Sequence, residues 1–162
     1  MSVIAQRRLE AFVGLMLSVI ALGGALYTQQ VMQWFPCPLC ILQRYAYLLT
    51  ALVFLMVVIQ PNRRWLSVAG VLLAGSGAAA AFYHVWVLAH PMQTCGVDPL
   101  QLKLNALPWV SVWPDLFTSD GLCSDAYPPL LGMSLPAWSG LGLIVQCLLA
   151  VRLFSGFFRP SK

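Results

Sequence analysis

Apolar residues dominate four stretches of this chain, each bounded by charged, polar or proline-containing segments. The stretches run from about 11 to 32, 40 to 59, 65 to 89 and 135 to 158. A helix rising 1.5 Å per residue needs about 20 apolar residues to cross about 30 Å of hydrocarbon. Each stretch meets that length, so the pattern predicts an all-α integral membrane protein. Residues 1–162 are expected to form a single polytopic domain, a four-transmembrane-helix bundle with outer loops at about 33–39 and 90–134. The link Gln60-Pro61-Asn62-Arg63-Arg64 has room only for a tight turn, which makes the second and third helices antiparallel neighbours. The third stretch carries Gly70, Ala74, Gly75, Gly77, Ala78 and Ala81, small residues that let helix backbones approach closely.

Composition agrees with this pattern. The chain is 60% hydrophobic and 9% charged, against about 25% charged for soluble domains. The net charge of +4 is no sign of nucleic-acid binding, because the basic residues sit at the ends of the apolar runs. Arg7, Arg8, Arg63, Arg64, Arg152, Arg159 and Lys162 share one side of a four-span bundle. Lys103 stands on the other side, with Asp98, Asp115, Asp120 and Asp125. Basic residues favour the cytoplasmic side, so both termini are expected inside. The first run has the basic start of a signal peptide, but it stays apolar as far as Tyr27, beyond the usual apolar core of such a peptide. It is expected to be a retained span. Trp34, Trp65, Trp86 and Trp138 fall near the predicted interfaces, where an amphipathic ring is favoured.

The second outer loop contains Pro91, Pro99, Pro108, Pro114, Pro128 and Pro129, which exclude one continuous helix. Its middle is nonetheless apolar, including Leu100, Leu102, Leu104, Trp109, Val112, Trp113 and Phe117. A short segment lying flat on the membrane surface is expected there.

Four of the five cysteines lie on the outer side, where disulfides persist: Cys37, Cys40, Cys95 and Cys123. Cys147 lies within the fourth span and reads as a small buried apolar residue. In Cys37-Pro38-Leu39-Cys40, Ile41 follows the second cysteine where c-type haem attachment needs histidine. Cys95 and Cys123 are too far apart to form the second knuckle of a four-cysteine zinc site, so no metal is expected. A structural or a redox-active disulfide remains. The position favours the redox reading: Cys40 stands at or near the first turn of the second helix, where unpaired N–H groups and the helix dipole stabilise a thiolate. Arg44 follows one turn later on the same face, and a charge at that membrane depth is functional by default, although an arginine there can also snorkel to the interface. His84 reaches a similar depth on the neighbouring helix. The two side chains are placed to hydrogen-bond the oxygens of a quinone ring and to supply protons as it is reduced. A histidine satisfied by a neighbouring helix is the structural alternative for His84, and His90 reads as surface. A Cys95–Cys123 disulfide would close a long exposed loop and be of the exchangeable kind. Asp120 and Asp125 flank Cys123 and are expected to raise its thiol pKa, disfavouring it as the first reacting sulfur.

Taken together, the chain resembles the disulfide bond formation protein B family (DsbB), bacterial inner-membrane thiol:quinone oxidoreductases. The resemblance rests on four spans with both termini inside, Cys-x-x-Cys opening the second span and arginine four residues on. It also rests on two cysteines in a long second loop and on Phe82-Tyr83-His84 in the third span. It implies a relay. A reduced periplasmic DsbA-like thiol oxidase would attack the Cys95–Cys123 disulfide and form a mixed disulfide with Cys95. Cys123 would exchange with Cys37, and Cys40 would be released as a thiolate that donates electrons to ubiquinone or menaquinone near Arg44 and His84. Gln43 departs from those members of the family that carry an acidic residue before the arginine. A similarity to vitamin K epoxide reductase is weaker, because that family's Cys-x-x-Cys usually lies on the last core helix. A membrane scaffold with static disulfides is the non-enzymatic alternative, and it leaves Arg44 unexplained.

Overall fold

The computed structural model describes residues 3–90, 99–125 and 127–156. Among them, four helices are long and apolar enough to cross a membrane: α1 (Val3–Gln30), α2 (Pro38–Ile59), α3 (Arg64–Ala89) and, last in the chain, α6 (Leu135–Ser155). Three short helical pieces precede α6: α4 (Pro99–Asn105), a 3-10 turn (Pro108–Val110) and α5 (Pro114–Phe117). The helix α1 packs on α2, α2 on α3, α3 on α6, and α6 closes back on α1. The first helix begins eight residues before its apolar run, because a helix continues through polar residues outside the hydrocarbon. There Glu10 meets Arg152 of α6 at 3.4 Å.

Loss of side chains at the crossings sets how closely the helices approach. A Cβ at Gly70 would stand 3.2 Å from Ala150 Cβ, one at Gly140 would stand 3.2 Å from Ala81 Cβ, and one at Gly77 would overlap Ala46. Ala74, Ala78 and Ala81 are buried along the same helix, while Gly75 turns away and meets nothing within 4 Å. Large apolar side chains point outward instead: Ile20 is 70% exposed and Leu72 67%. Such exposure suits a lipid environment, since it removes nothing from hydrocarbon contact.

A polar chain crosses the interior of the bundle. The Thr50 hydroxyl donates to Gln146 Oε1 at 2.7 Å, and Gln146 Nε2 donates to Ser18 Oγ at 2.8 Å, joining α2, α6 and α1. All three residues are fully buried, so hydrocarbon offers no replacement partner. Interhelical bonds in membranes average about 0.6 kcal/mol each. Gln146→Leu, which keeps the volume and removes both, is expected to cost about 1 kcal/mol, read as a lower unfolding midpoint in detergent.

At its C-terminal end α1 stops with Gln33 in the left-handed region at φ 57°. Trp34 N–H then reaches back to Thr28 O at 3.1 Å, and the chain reverses toward the start of α2. The loop between α3 and α6 is broken at Pro108 and Pro114, as the prolines require. Its apolar residues divide between two faces. Leu104, Val110 and Phe117 are buried inward, while Leu102, Val112 and Trp113 are 64%, 76% and 66% exposed. The inward face docks on Tyr45 of α2: Phe117 stacks on its ring at 5.2 Å and Trp109 Nε1 donates to its hydroxyl at 2.7 Å. The outward face is the one available to lie on lipid.

Candidate active site

Cys37 is the N-cap of α2, with extended backbone, and its sulfur accepts from Cys40 N–H at 3.4 Å. A serine or aspartate oxygen ordinarily fills that position. The cap, with Pro38 in the first helical turn, starts the helix so that Cys40 falls three residues in and the two sulfurs face each other at 3.4 Å. Both are free thiols in this structure. Cys37 is buried and Cys40 is partly open.

His84 of α3 lies against both sulfurs. Its Nε2 is 3.6 Å from Cys37 Sγ, and its Nδ1 is 3.9 Å from Cys40 Sγ. The amide of Gln43, buried one turn into α2, donates to Nδ1 at 3.4 Å. With Nδ1 accepting, a neutral imidazole carries its proton on Nε2, facing Cys37. The sequence marks Gln43 only as a departure from the family; its contact with His84 depends on how α2 and α3 pack.

Arg44 is 6% exposed, and its guanidinium turns to other elements. Nη1 donates to Gln29 Oε1 at 2.8 Å and to the carbonyls of Asp115 (3.1 Å) and Leu116 (3.3 Å), while Nη2 donates to Ala25 O at 3.2 Å. The buried cation therefore ties the end of α1 and the loop helix α5 to α2, through charge-assisted bonds.

The second loop also docks directly beside Cys37. The N–H groups of Asp120 and Gly121 both donate to Pro36 O at 3.1 Å. Tyr127 donates its hydroxyl to Phe35 O at 3.1 Å and stacks on Trp34 at 5.0 Å. At Gly121 a Cβ would overlap the carbonyl of Phe35, so only glycine permits this approach. The docking brings Cys123 into the cluster formed by Cys37, Cys40, Leu39 and Val87.

Cys37 donates a hydrogen bond to Cys123, which, ahead of its bond to Cys40 and its burial, holds the Cys37 thiol well above the ordinary range. The same bond moves Cys123 the other way, below its usual value, with burial opposing. The expectation that Asp120 and Asp125 raise the Cys123 pKa is thus corrected. The Asp125 carboxylate accepts from Leu122 N–H at 3.2 Å, and the neighbouring thiol outweighs it. A lower pKa means more thiolate at a given pH, and the thiolate is what alkylates. In the fully reduced protein, Cys123 should react with iodoacetamide at a lower pH than an ordinary thiol, while Cys37 stays protected. Peptide mapping across pH reads both, and the reverse order would refute the shared proton.

Cys37, Cys40, Arg44 and His84 all line one cavity of about 600 Å³ bounded by α1, α2, α3 and α6. The rest of its wall is mainly apolar, including Leu17, Ile20, Leu22, Leu88 and Leu135. Cys95 lies outside the described residues. His90 caps α3 and stacks on Trp86 at 4.7 Å, away from the sulfurs. Cys147 on α6 points to the Val71 carbonyl of α3 at 3.8 Å.

Comparison with known proteins bears on this arrangement. The family model for disulfide bond formation protein DsbB matches residues 7–153. Disulfide bond formation protein B 1 of Pseudomonas putida is 45% identical over 97% of this chain and 93% of its own. Disulfide bond formation protein B of Cupriavidus pinatubonensis is 44% identical over 86% of each chain. A facing cysteine pair at the head of the second of four membrane-length helices, with the match extending over nearly the whole length, leaves one assignment: this multi-pass membrane protein belongs to the DsbB family and is a disulfide-generating oxidoreductase.

Proposed function

We propose that the protein reoxidises a periplasmic DsbA-like thiol oxidase and passes the electrons through its two cysteine pairs to a membrane quinone. The observation that carries this reading is the docking of Cys123 against Cys37, with Cys40 beside them at the wall of an apolar cavity. In the relay, a thiolate of the partner attacks the Cys95–Cys123 disulfide, forming a mixed disulfide with Cys95 and releasing Cys123. Cys123 attacks Cys37, whose bond to Cys40 breaks, and Cys40 leaves as a thiolate. The partner's second thiol then displaces Cys95 and leaves as a disulfide. Cys95 then attacks Cys123, re-forming the Cys95–Cys123 disulfide and releasing Cys37, so that two electrons now rest on the Cys37 and Cys40 thiols and the partner is oxidised.

The cavity fits a quinone ring. Its volume lies within the roughly 300–1,000 Å³ of small-molecule sites, and apolar walls with a few convergent polar groups are the usual lining. Cys40, Arg44 and His84 would hold the ring at the outer end. When bound, a quinone supplies the two-electron sink that returns the inner pair to its disulfide. Arg44 contributes a fixed positive field where negative charge develops, and His84 a proton at Nε2 beside the sulfurs. The surplus of basic residues on one side supports an inner-membrane protein with both termini cytoplasmic and the cysteine loops periplasmic.

The test is quinone absorbance in the ultraviolet, with purified protein, added ubiquinone and a reduced DsbA-like dithiol protein. Turnover in the wild type and none in Cys95→Ser establishes the relay. Ubiquinone and menaquinone both left oxidised, with all four loop cysteines locked against alkylation, would leave a stapled scaffold instead.

A further inference from the structure

We infer that the reduced inner cysteine pair and His84 form a binding site for a soft divalent cation of the zinc or cadmium class, which holds the protein in its reduced state. Cys37 Sγ, Cys40 Sγ and a ring nitrogen of His84 lie within 4.8 Å of one another. The separations match a tetrahedral ion. Zinc–sulfur bonds of about 2.3 Å and zinc–nitrogen bonds of about 2.0–2.1 Å set tetrahedral edges of about 3.8 Å between sulfurs and about 3.6 Å between sulfur and nitrogen. The observed edges are 3.4 Å between the sulfurs and 4.0 and 3.9 Å from His84 Nδ1 to Cys37 and Cys40. Shifts of a few tenths of an ångström complete the geometry, and the bond displaced is the one from the Gln43 amide to Nδ1.

Charge favours such an ion. Two thiolates and a neutral imidazole around a divalent cation sum to zero, so the loaded site carries no net charge into a buried place. Thiolate and imidazole are the donors that zinc and cadmium prefer over magnesium or calcium. The fourth position is left to water from the cavity that Cys40 and His84 line. Loading transfers no electrons: the two thiols release two protons to solvent as two sulfur–metal bonds form. The disulfide form has no thiolate to offer, so only the reduced form binds. A loaded pair cannot become a disulfide until the metal leaves, which makes the ion a reversible inhibitor of reoxidation. The sequence hides this site because the third ligand is 44 positions from Cys40, on another helix, and no second knuckle accompanies the first.

The inference requires only that Cys37 and Cys40 be reducible. Failure of quinone turnover leaves it intact, and failure of metal binding leaves the relay intact. The test adds cadmium or zinc to the full-length protein in detergent without oxygen, after reduction and removal of reductant, with the oxidised protein as reference. Expected are one equivalent bound to the reduced protein in competition with a chromophoric chelator, a thiolate-to-cadmium absorption band, and neither in the oxidised protein. Replacing both Cys95 and Cys123 by serine should retain the equivalent. His84→Ala should weaken it roughly tenfold or more, since even groups that only support a ligand contribute that much. X-ray absorption of the zinc-loaded wild type should count at least two sulfurs and one histidine nitrogen, and it decides the matter if His84→Ala does not fold. Equal affinity in both redox states, loss of the ion in the double serine variant, or a donor set without histidine would each overturn the proposal.

Discussion

In the proposed relay, Cys40→Ser is expected to abolish electron transfer from a dithiol protein to a quinone, by on the order of 10³-fold or more, and to move the free thiol of the loops from Cys37 to Cys95. The first effect follows from electron counting: with Cys40 gone, the inner Cys37–Cys40 disulfide cannot form, so no pair at the cavity wall can take electrons from the outer pair and hand them on. The second follows from position. Cys37 is left as a thiol against Cys123, and attack on the Cys95–Cys123 disulfide exchanges one bond for another, forming Cys37–Cys123 and freeing Cys95. Docking of the loop raises the effective concentration of Cys123 at Cys37 and favours that product. Quinone absorbance reads the first effect, and alkylation followed by peptide mapping reads the second. A variant that keeps turnover, or whose free thiol remains Cys37, would contradict the arrangement.

Gly121→Ala is expected to slow dithiol-protein-driven quinone reduction by about fivefold to a hundredfold without preventing a small dithiol from reducing Cys37–Cys40 directly. The added Cβ would overlap the Phe35 carbonyl, and the loop must move outward to relieve it. That movement breaks the two N–H bonds from Asp120 and Gly121 to Pro36 O. Such bonds are worth about 0.5–1.5 kcal/mol each, so losing both removes about 1–3 kcal/mol of positioning. Each 1.4 kcal/mol is a factor of about ten, which gives the stated range. The comparison of a protein donor with a small dithiol is diagnostic, because general unfolding would remove both activities together. Equal loss with both donors would mean that Gly121 serves the fold and not the approach of Cys123 to Cys37.

Much of this was determined by local chemistry along the chain. Hydrocarbon demands continuous apolar length and satisfied backbone, so the spans at 40–59 and 65–89 are found almost residue for residue in α2 and α3. Prolines at 108 and 114 break the outer loop in the helical pieces observed, and the small residues from Gly70 to Ala81 fall at the helix crossings, Gly75 excepted. The cysteine spacing at the start of α2 locates the facing sulfurs, because one helical turn and its cap are local structures. Where α1 begins was less legible, since a helix can extend past its apolar part with its backbone still paired internally, and the apolar pattern does not mark that extension.

Only tertiary packing decided how the site is assembled. Arg44 and His84 are both legible as polar residues near the same end of their spans, yet one turns to α1 and α5 and the other to the sulfurs. Their directions depend on helix rotation, which the near-uniform apolarity of these spans does not encode. The pKa of Cys123 is set by a thiol 86 positions away in the chain and not by the aspartates beside it. Gly121, silent as one glycine in a loop, acquires its role from the Phe35 carbonyl that closes on it. Lipid-facing helices report their presence through composition, while the contacts between loops rest on single atoms meeting across distant segments, and only the folded chain brings those atoms together.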